Sequence, residues 1–333
     1  MNIKAIKTSN LILWACVSLL AFTPGFAGHA SAQAKQGAGV PSAQRSFDTP
    51  EAAVSALFDA LEKFDVDSLG AILGPGSEDL IVSADPVSDK KRAQEFAQWG
   101  REKQSIELSK DKKQATLSVG SADFPFAIPI VNRGGKWYFN SKLGRTEILA
   151  RRIGSNELDA IAICRGFVDA QEEYASQTHD SWNLHQYAQR IISTPGKQDG
   201  LYWENADGIG GGPASKAIAK AIQEGYTKGK NSAFHGYYYK VLKARGPSAP
   251  GGAINFVIDG AMIGGFALAA VPAEYGVTGI KSFIISYEGI VYQKDLGPNT
   301  LEIFDKMEAY NPDKTWTSTD DGWPFDIQAS SAE

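Results

Sequence analysis

Cysteine is nearly absent from this chain: there are two in 333 residues, Cys16 and Cys164. Cys16 lies in an N-terminal apolar segment. Once that segment is removed Cys164 stands alone, and no internal disulfide can form. Histidine is also scarce, with four in all, and His29 falls in the same N-terminal segment. His179 and His185 are six residues apart, which is not the i, i+3 or i+4 spacing of helix neighbours. No cysteine or close carboxylate cluster completes a zinc set with them, so they read as loop or surface histidines. There is no G-x-S-x-G elbow, which removes that type of hydrolase. No apolar run approaches the roughly 20 residues needed to span a bilayer. Positive charge is not in excess either. The formal net charge of -5 offers no electrostatic footprint for nucleic acid. No metal and no cofactor is expected.

What is present describes a folded, exported protein. Hydrophobic residues make up 43% and charged residues 21%, enough apolar material for a sizeable core. At 333 residues the chain is natural for two domains, by the prior of roughly 100–200 residues each. Residues 1–34 differ from the rest. Lys4 and Lys7 precede the apolar run from Leu11 to Phe22, then come Pro24, Gly25 and the small-residue end "HASAQA". This is the pattern of a secretory signal peptide cut after Ala32 or Ala34. "LWAC" at Cys16 loosely resembles a lipobox, the competing reading. The expected location is therefore periplasmic or secreted, with no transmembrane span after cleavage.

Residues 35–46 are small and polar and read as a flexible mature N-terminus. A helix is expected after Asp48 or Thr49, with Pro50 in its first position and Val54, Leu57, Phe58 and Leu61 on one face. "DVDSLGAIL" reads as a second helix stopped by "GPGS", and about Asp89 to Lys103 as a third. Strands follow at "QATLSVG" and at "FAIPIVN" and "KWYFN", the last two flanking a turn at Arg133-Gly134-Gly135. Pro125 and Pro129 place the first of that pair on an edge or bulge. This block, 47–143, is joined by a linker, 144–156, to a second block, 157–310, with a tail at 311–333. The second block starts with a long helix, about Asn156 to Ser176, capped by Asn156. Residues 193–213 read as a long loop and "ASKAIAKAIQEGY" as a helix. Strands are then expected at "HGYYYKVLKA", "GGFALAAVP", "TGIKSFIIS" and "GIVYQKDLG". The fold class is α+β: helices followed by a curved antiparallel sheet, then a long helix packed on an antiparallel meander.

Two glycine-rich stretches invite a phosphate-loop reading. "GIGGGPASK" leads into a helix but fails the G-x-x-x-x-G-K-[ST] spacing, because Lys216 has no glycine before it and Ala217 after it. The stretch from Gly264 to Gly297 is followed by no helix start and reads as turns of the meander. Gly264 and Gly265 should sit at a bend, and Gly289 in a tight turn. Phe266, Leu268, Ile280, Phe283 and Ile285 should form its one helix-packed face. Cys164, within "DAIAICRGFVDA", reads as a packing residue.

Long strings, among them "ICRGFVDAQEEYA", "HGYYYKVLKARGPSAPGG" and "FALAAVPAEYGVTGIKSFIISYEGIVYQKDLGP", resemble the exported bacterial family called domain of unknown function 2950, over about Phe47 to Trp316. That resemblance implies export and supplies no catalytic residue. Residues 47–143, ending in "GGKWYF", resemble the nuclear-transport-factor-2-like cone. Residues 157–297 are similar to the globular part of type IV pilin-like and pseudopilin proteins, without a prepilin cleavage motif followed by a long apolar helix. The leading expectation is a non-enzymatic periplasmic binding or interaction protein with partners unknown, envelope proteins among them. The alternatives are an accessory component of a pilus or secretion apparatus, and a hydrolase-type enzyme with an interdomain cleft lined by His235, Tyr237, Glu274 and Lys294.

Overall fold

A computed structural model describes residues 44–179, 183–224, 226 and 233–319. The signal-peptide pattern and the pair Asp320-Asp321 lie outside them. The chain divides into two compact units, at Ile153 and Gly154.

In the first unit, helix α1 (Pro50–Lys63) starts where Thr49 Oγ1 accepts the Ala52 N–H and Pro50 takes the first turn, where a missing N–H costs nothing. Val54, Leu57 and Phe58 form its buried face. Helix α2 (Val66–Leu73) is capped by Asp65. The short α3 (Glu78–Ile81) had no periodicity to betray it. Helix α4 (Pro86–Glu102) begins three residues before Asp89, because Asp85 accepts from Ser88 N at 3.0 Å and Pro86 follows it. Five strands follow: β1 (Gln104–Leu108), β2 (Gln114–Val119), β3 (Phe124–Pro125), β4 (Ile130–Arg133) and β5 (Lys136–Phe139). They form one antiparallel sheet in the order β1-β2-β4-β5, with β3 on β2. The β4–β5 turn is the two residues Gly134 and Gly135, both with positive φ, as a tight hairpin requires. The core is where the helices meet the sheet: Leu57, Phe58, Leu69 and Ile72 with Leu117, Val119, Ile130 and Phe139. The end of the segment expected to be flexible is anchored here. Gln44 Nε2 donates to the carbonyls of Ile72 and Phe139, and Arg45 N to that of Ala71.

The expected linker is helical. Helix α5 runs unbroken over Ser141–Ala175, so Asn156 is an interior residue and not a cap. Nothing in 144–156 stops a helix except two glycines, and Glu147 pairs with Arg151 one turn on, at 2.7 Å. The first part of α5 serves the first unit: Arg152 donates to the carbonyls of Asp79 and Leu80 at 2.6 and 2.7 Å. The rest serves the second. Asn156 Nδ2 donates to Thr278 O at 2.8 Å, and Glu157 Oε1 accepts from the N–H groups of Ile280 and Lys281.

The second unit carries β6 (Arg190–Ile192), β7 (Gly200–Glu204) and β8 (Gly210–Gly211), which pair in that order, with β6–β7 parallel. The stretch 193–213 is thus not a plain loop. Leu201 and Tyr202 are buried in a strand too short to stand out among glycine, proline and aspartate. Helix α6 (Ser215–Gln223) follows, then β9 (Tyr237–Leu242) and four short strands, β10 (Ala244–Arg245), β11 (Ile254–Asn255), β12 (Val257–Ile258) and β13 (Ala261–Met262). The main strands β14 (Ala267–Pro272), β15 (Lys281–Ser286) and β16 (Tyr292–Asp295) come next, then α7 (Thr300–Lys306), β17 (Ala309–Tyr310) and β18 (Thr317–Ser318). The main sheet is antiparallel, in the order β18-β16-β15-β14-β9, so part of the expected tail is a sheet edge. Short sheets join β11-β10-β17 and β12-β13.

The expected one-sided meander is covered on both faces. Phe167 of α5 meets Phe266 at 5.6 Å, while Lys240 Nζ lies over the Phe304 ring of α7 at 4.9 Å. All six residues of β14 are buried, and Ile280 is only half-buried. An uninterrupted apolar run is what a strand buried on both faces demands. The glycines bend this sheet as expected: a Cβ on Gly264 would lie 2.9 Å from Asn255 O, Gly265 has φ +126°, and Gly289 has φ 77°.

Candidate functional site

A cavity of about 640 Å³ opens in the second unit, between the end of α5, the segment that leads into β6, the turn before β7 and the β12–β13 turn. Its foundation is Gln171, wholly buried on α5. The side-chain amide donates to Ala188 O and accepts from Ala188 N, both at 2.8 Å, which pins the segment around residue 188 to the helix. One helical turn on, the hydroxyl of the buried Tyr174 donates to Gln198 O, holding the turn on the opposite wall. His179 lies flat on the Tyr174 ring, with centroids 3.9 Å apart, and its Nε2 is 2.8 Å from Tyr174 O. It is a loop histidine, as expected, but half-buried and part of a wall. His185 is exposed, with Nδ1 2.7 Å from Ala175 O.

The third wall is hung on β13. Tyr187 N donates to Met262 O at 2.8 Å, and the Tyr187 ring packs edge-on against Phe266 at 4.7 Å. Gln189 donates to Gly260 O and accepts from Lys243 Nζ. The charged end follows. Asp199 is held by Thr194, whose N–H and hydroxyl donate to its two oxygens at 2.7 and 2.8 Å. Arg190 Nε then sits 3.4 Å from Asp199 Oδ2. Lys197 stands exposed on the same turn. Burial, followed by the nearby Arg190 charge, pulls the Lys243 ammonium below its usual range. Arg190 and Lys243 thus lie near one carboxylate that already has partners, and Lys197 lines the same cavity. His179 and Asp199 face separate partners, Tyr174 O and Thr194, so they form no acid–base couple in this arrangement. The arrangement suits holding a ligand.

None of the four residues anticipated from the sequence lines this cavity. His235, with φ 50°, places Nδ1 2.6 Å from Asp159 Oδ2 and packs beside Phe234. Tyr237 is fully buried, donates to Lys281 O at 2.8 Å, and is held far above the usual tyrosine range by burial and then by the Glu157 charge. Glu274 is exposed in the turn after β14, where its N–H donates to Thr278 Oγ1. The Gly236 carbonyl accepts from Ala273 N, so the first three lie at one end of the sheet. Lys294, on β16, is separated from β9 by two strands and lies 5.8 Å from the Trp316 ring. Tyr174, Tyr187, Arg190, Lys197 and Asp199 went unnoticed because they are spread over 26 positions without a motif. The one available signal was a run of polar and aromatic residues flanked by two histidines.

Among the described residues no group of three His, Cys, Asp or Glu could hold a metal ion, and no helix is long and apolar enough to cross a membrane. Residues 44–319 match the model of a family described as "Protein of unknown function (DUF2950)". The match covers most of the chain, and the protein belongs to that family. No curated protein and no solved structure matches it. The likenesses to the nuclear-transport-factor-2-like cone and to pilins rest on the sequence strings alone.

Proposed function

We propose that this is an exported, non-enzymatic binding protein of the bacterial envelope, and that the cavity beside α5 is its ligand site. The cavity carries the reading. Small-molecule sites are usually concavities of roughly 300–1,000 Å³, mostly apolar with a few convergent polar groups; this one is about 640 Å³ and is lined more by polar than by apolar groups, which suits a polar ligand. Its walls are fixed by Gln171, Tyr174 and Gln189, a preformed frame of the sort that lowers the ordering cost of binding.

Mature protein purified from native cells, denatured and extracted, should release a small molecule in stoichiometric amount. Gln198→Trp should lose it, because this exposed side chain lines the cavity without a hydrogen-bond partner, and tryptophan would fill the space. Nothing recovered from wild type, or equal recovery from the variant, would overturn the assignment. The export half stands on the signal-peptide pattern. N-terminal sequencing should begin at Gln33 or Lys35, and an intact Met1 or a lipid-modified Cys16 would remove it.

A further inference from the structure

We infer that the ligand of this cavity is an oxyanion: a small, otherwise uncharged polar molecule bearing one carboxylate or phosphate group, gripped by Arg190 and Lys197. The inference rests on the binding reading above and adds the ligand's charge. The protein as a whole is acidic, with a formal charge of -5, yet this cavity gathers Arg190, Lys197 and the adjacent Lys243 against the single carboxylate of Asp199. A concavity whose charged groups are mainly of one sign concentrates counter-ions.

Asp199 is not free to act as the counter-charge for a ligand cation. Its oxygens already accept two hydrogen bonds from Thr194 and face Arg190 Nε at 3.4 Å. It is a positioning residue. By holding the Nε edge of Arg190 it leaves the two terminal guanidinium nitrogens, which have no partner among the described residues. Those nitrogens form the planar fork that fits two oxygens of a carboxylate or phosphate. Lys197 has no ion-pair partner among the described residues either, and it supplies a mobile point charge from the turn that also carries Asp199. The remaining walls, Tyr187 and His179, offer ring surface and hydrogen-bonding atoms and no second charge of fixed sign.

The full mature chain is titrated by calorimetry with three probes that share one body: D-glucuronate, D-glucose 6-phosphate and D-glucose, with inorganic phosphate as a fourth. At least one of the anionic sugars should bind while glucose does not, and added salt should weaken that binding. Lys197→Gln, at an exposed position where folding is not at risk, and Arg190→Gln should each weaken it about tenfold or more, the worth of a charge-assisted hydrogen bond. Asp199→Asn should weaken it less, since the fork survives but loses its support. Binding of glucuronate alone assigns a carboxylate, and binding of glucose 6-phosphate and phosphate alone assigns a phosphate. Glucose binding as well as the anions, anion binding unchanged in both cation variants, or no binding by any anion overturns the inference. A neutral molecule released from native protein and lost in Gln198→Trp would overturn it too, while leaving the binding reading intact.

Discussion

Single residues carry much of the constraint in the second unit, and two positions show how. Gly265 has φ +126°, and a Cβ built on it would lie 2.8 Å from the Tyr287 ring and 3.0 Å from that of Phe256. Both strain and collision oppose a side chain there. Gly265→Ala should destabilise the fold by about 1–3 kcal/mol, read from the shift of a urea midpoint at constant slope. A variant as stable as wild type would show that the bend relaxes freely. Asp89, in the first unit, makes the opposite kind of demand. Its carboxylate is nearly buried and accepts from Ser83 N and Ser83 Oγ, yet burial outweighs these bonds and the Arg152 charge at 3.7 Å and holds its pKa above 3.8. The native state therefore binds this proton more tightly than the unfolded chain does. Its contribution to stability is full below the unfolded value, and it declines as pH rises through the raised one. Asp89→Asn does not titrate. The stability of the variant relative to wild type should improve between about pH 4 and about pH 7, as read by urea unfolding at each. A difference that moves the other way would mean that the Arg152 pairing dominates.

Helix α5 is longer than the sequence reading made it: the stretch that joins the two units is helical as well. Its two glycines, at 144 and 154, sit there for different reasons. A Cβ on Gly144 would lie 2.6 Å from Ala127 O and 2.7 Å from Ile128, a close approach of backbone to backbone that only glycine permits. A Cβ on Gly154 would meet nothing within 4 Å. Gly154→Ala should accordingly stabilise the protein by roughly 0.5–1 kcal/mol through helix propensity, whereas Gly144→Ala should destabilise it. Thermal melts of the pair would test this, and two shifts of the same sign would contradict it. Elements with a local cause were legible beforehand. Thr49 and Pro50 announce α1, Gly134-Gly135 announces the hairpin, and apolar runs announce β14 and β15. What was hidden depended on distant partners. Asn156 reads locally as a cap, and only Thr278, far along the chain, reveals it as a cross-brace. Strand β7 exists because β6 and β8 pair with it. The cavity was illegible for the same reason: its residues come from four segments that Gln171, Tyr174 and Gln189 gather by bonding to backbone atoms, and backbone acceptors leave no mark in a sequence.

At the scale of the whole molecule the chain holds two units, each with its own apolar interior. The first is a single cluster from Phe47 to Phe139. The second is built around β14 and β15, with Cys164 and Phe167 of α5 wholly buried in it. Chains of this size with more than one core frequently depart from all-or-none unfolding. Cys164 supplies a reporter, because it is the one cysteine among the described residues and is 0% exposed, and burial pushes its thiol up to about 12. The native thiol should therefore resist a thiol reagent, and labelling should await opening of the second unit. Gly265→Ala weakens that unit and should speed labelling in mild denaturant. Gly144→Ala acts beside Ile128 in the first core, and it should lower that unit's stability, read from hydrogen exchange of the β4–β5 amides, with a smaller effect on the labelling rate. If both variants speed labelling equally for equal losses of stability, the two cores open as one cooperative body, joined through the continuous helix they share. If only Gly265→Ala does, the helix spans two separately melting units, and a ligand in the cavity should slow labelling of Cys164 while leaving the exchange of the β4–β5 amides where it was.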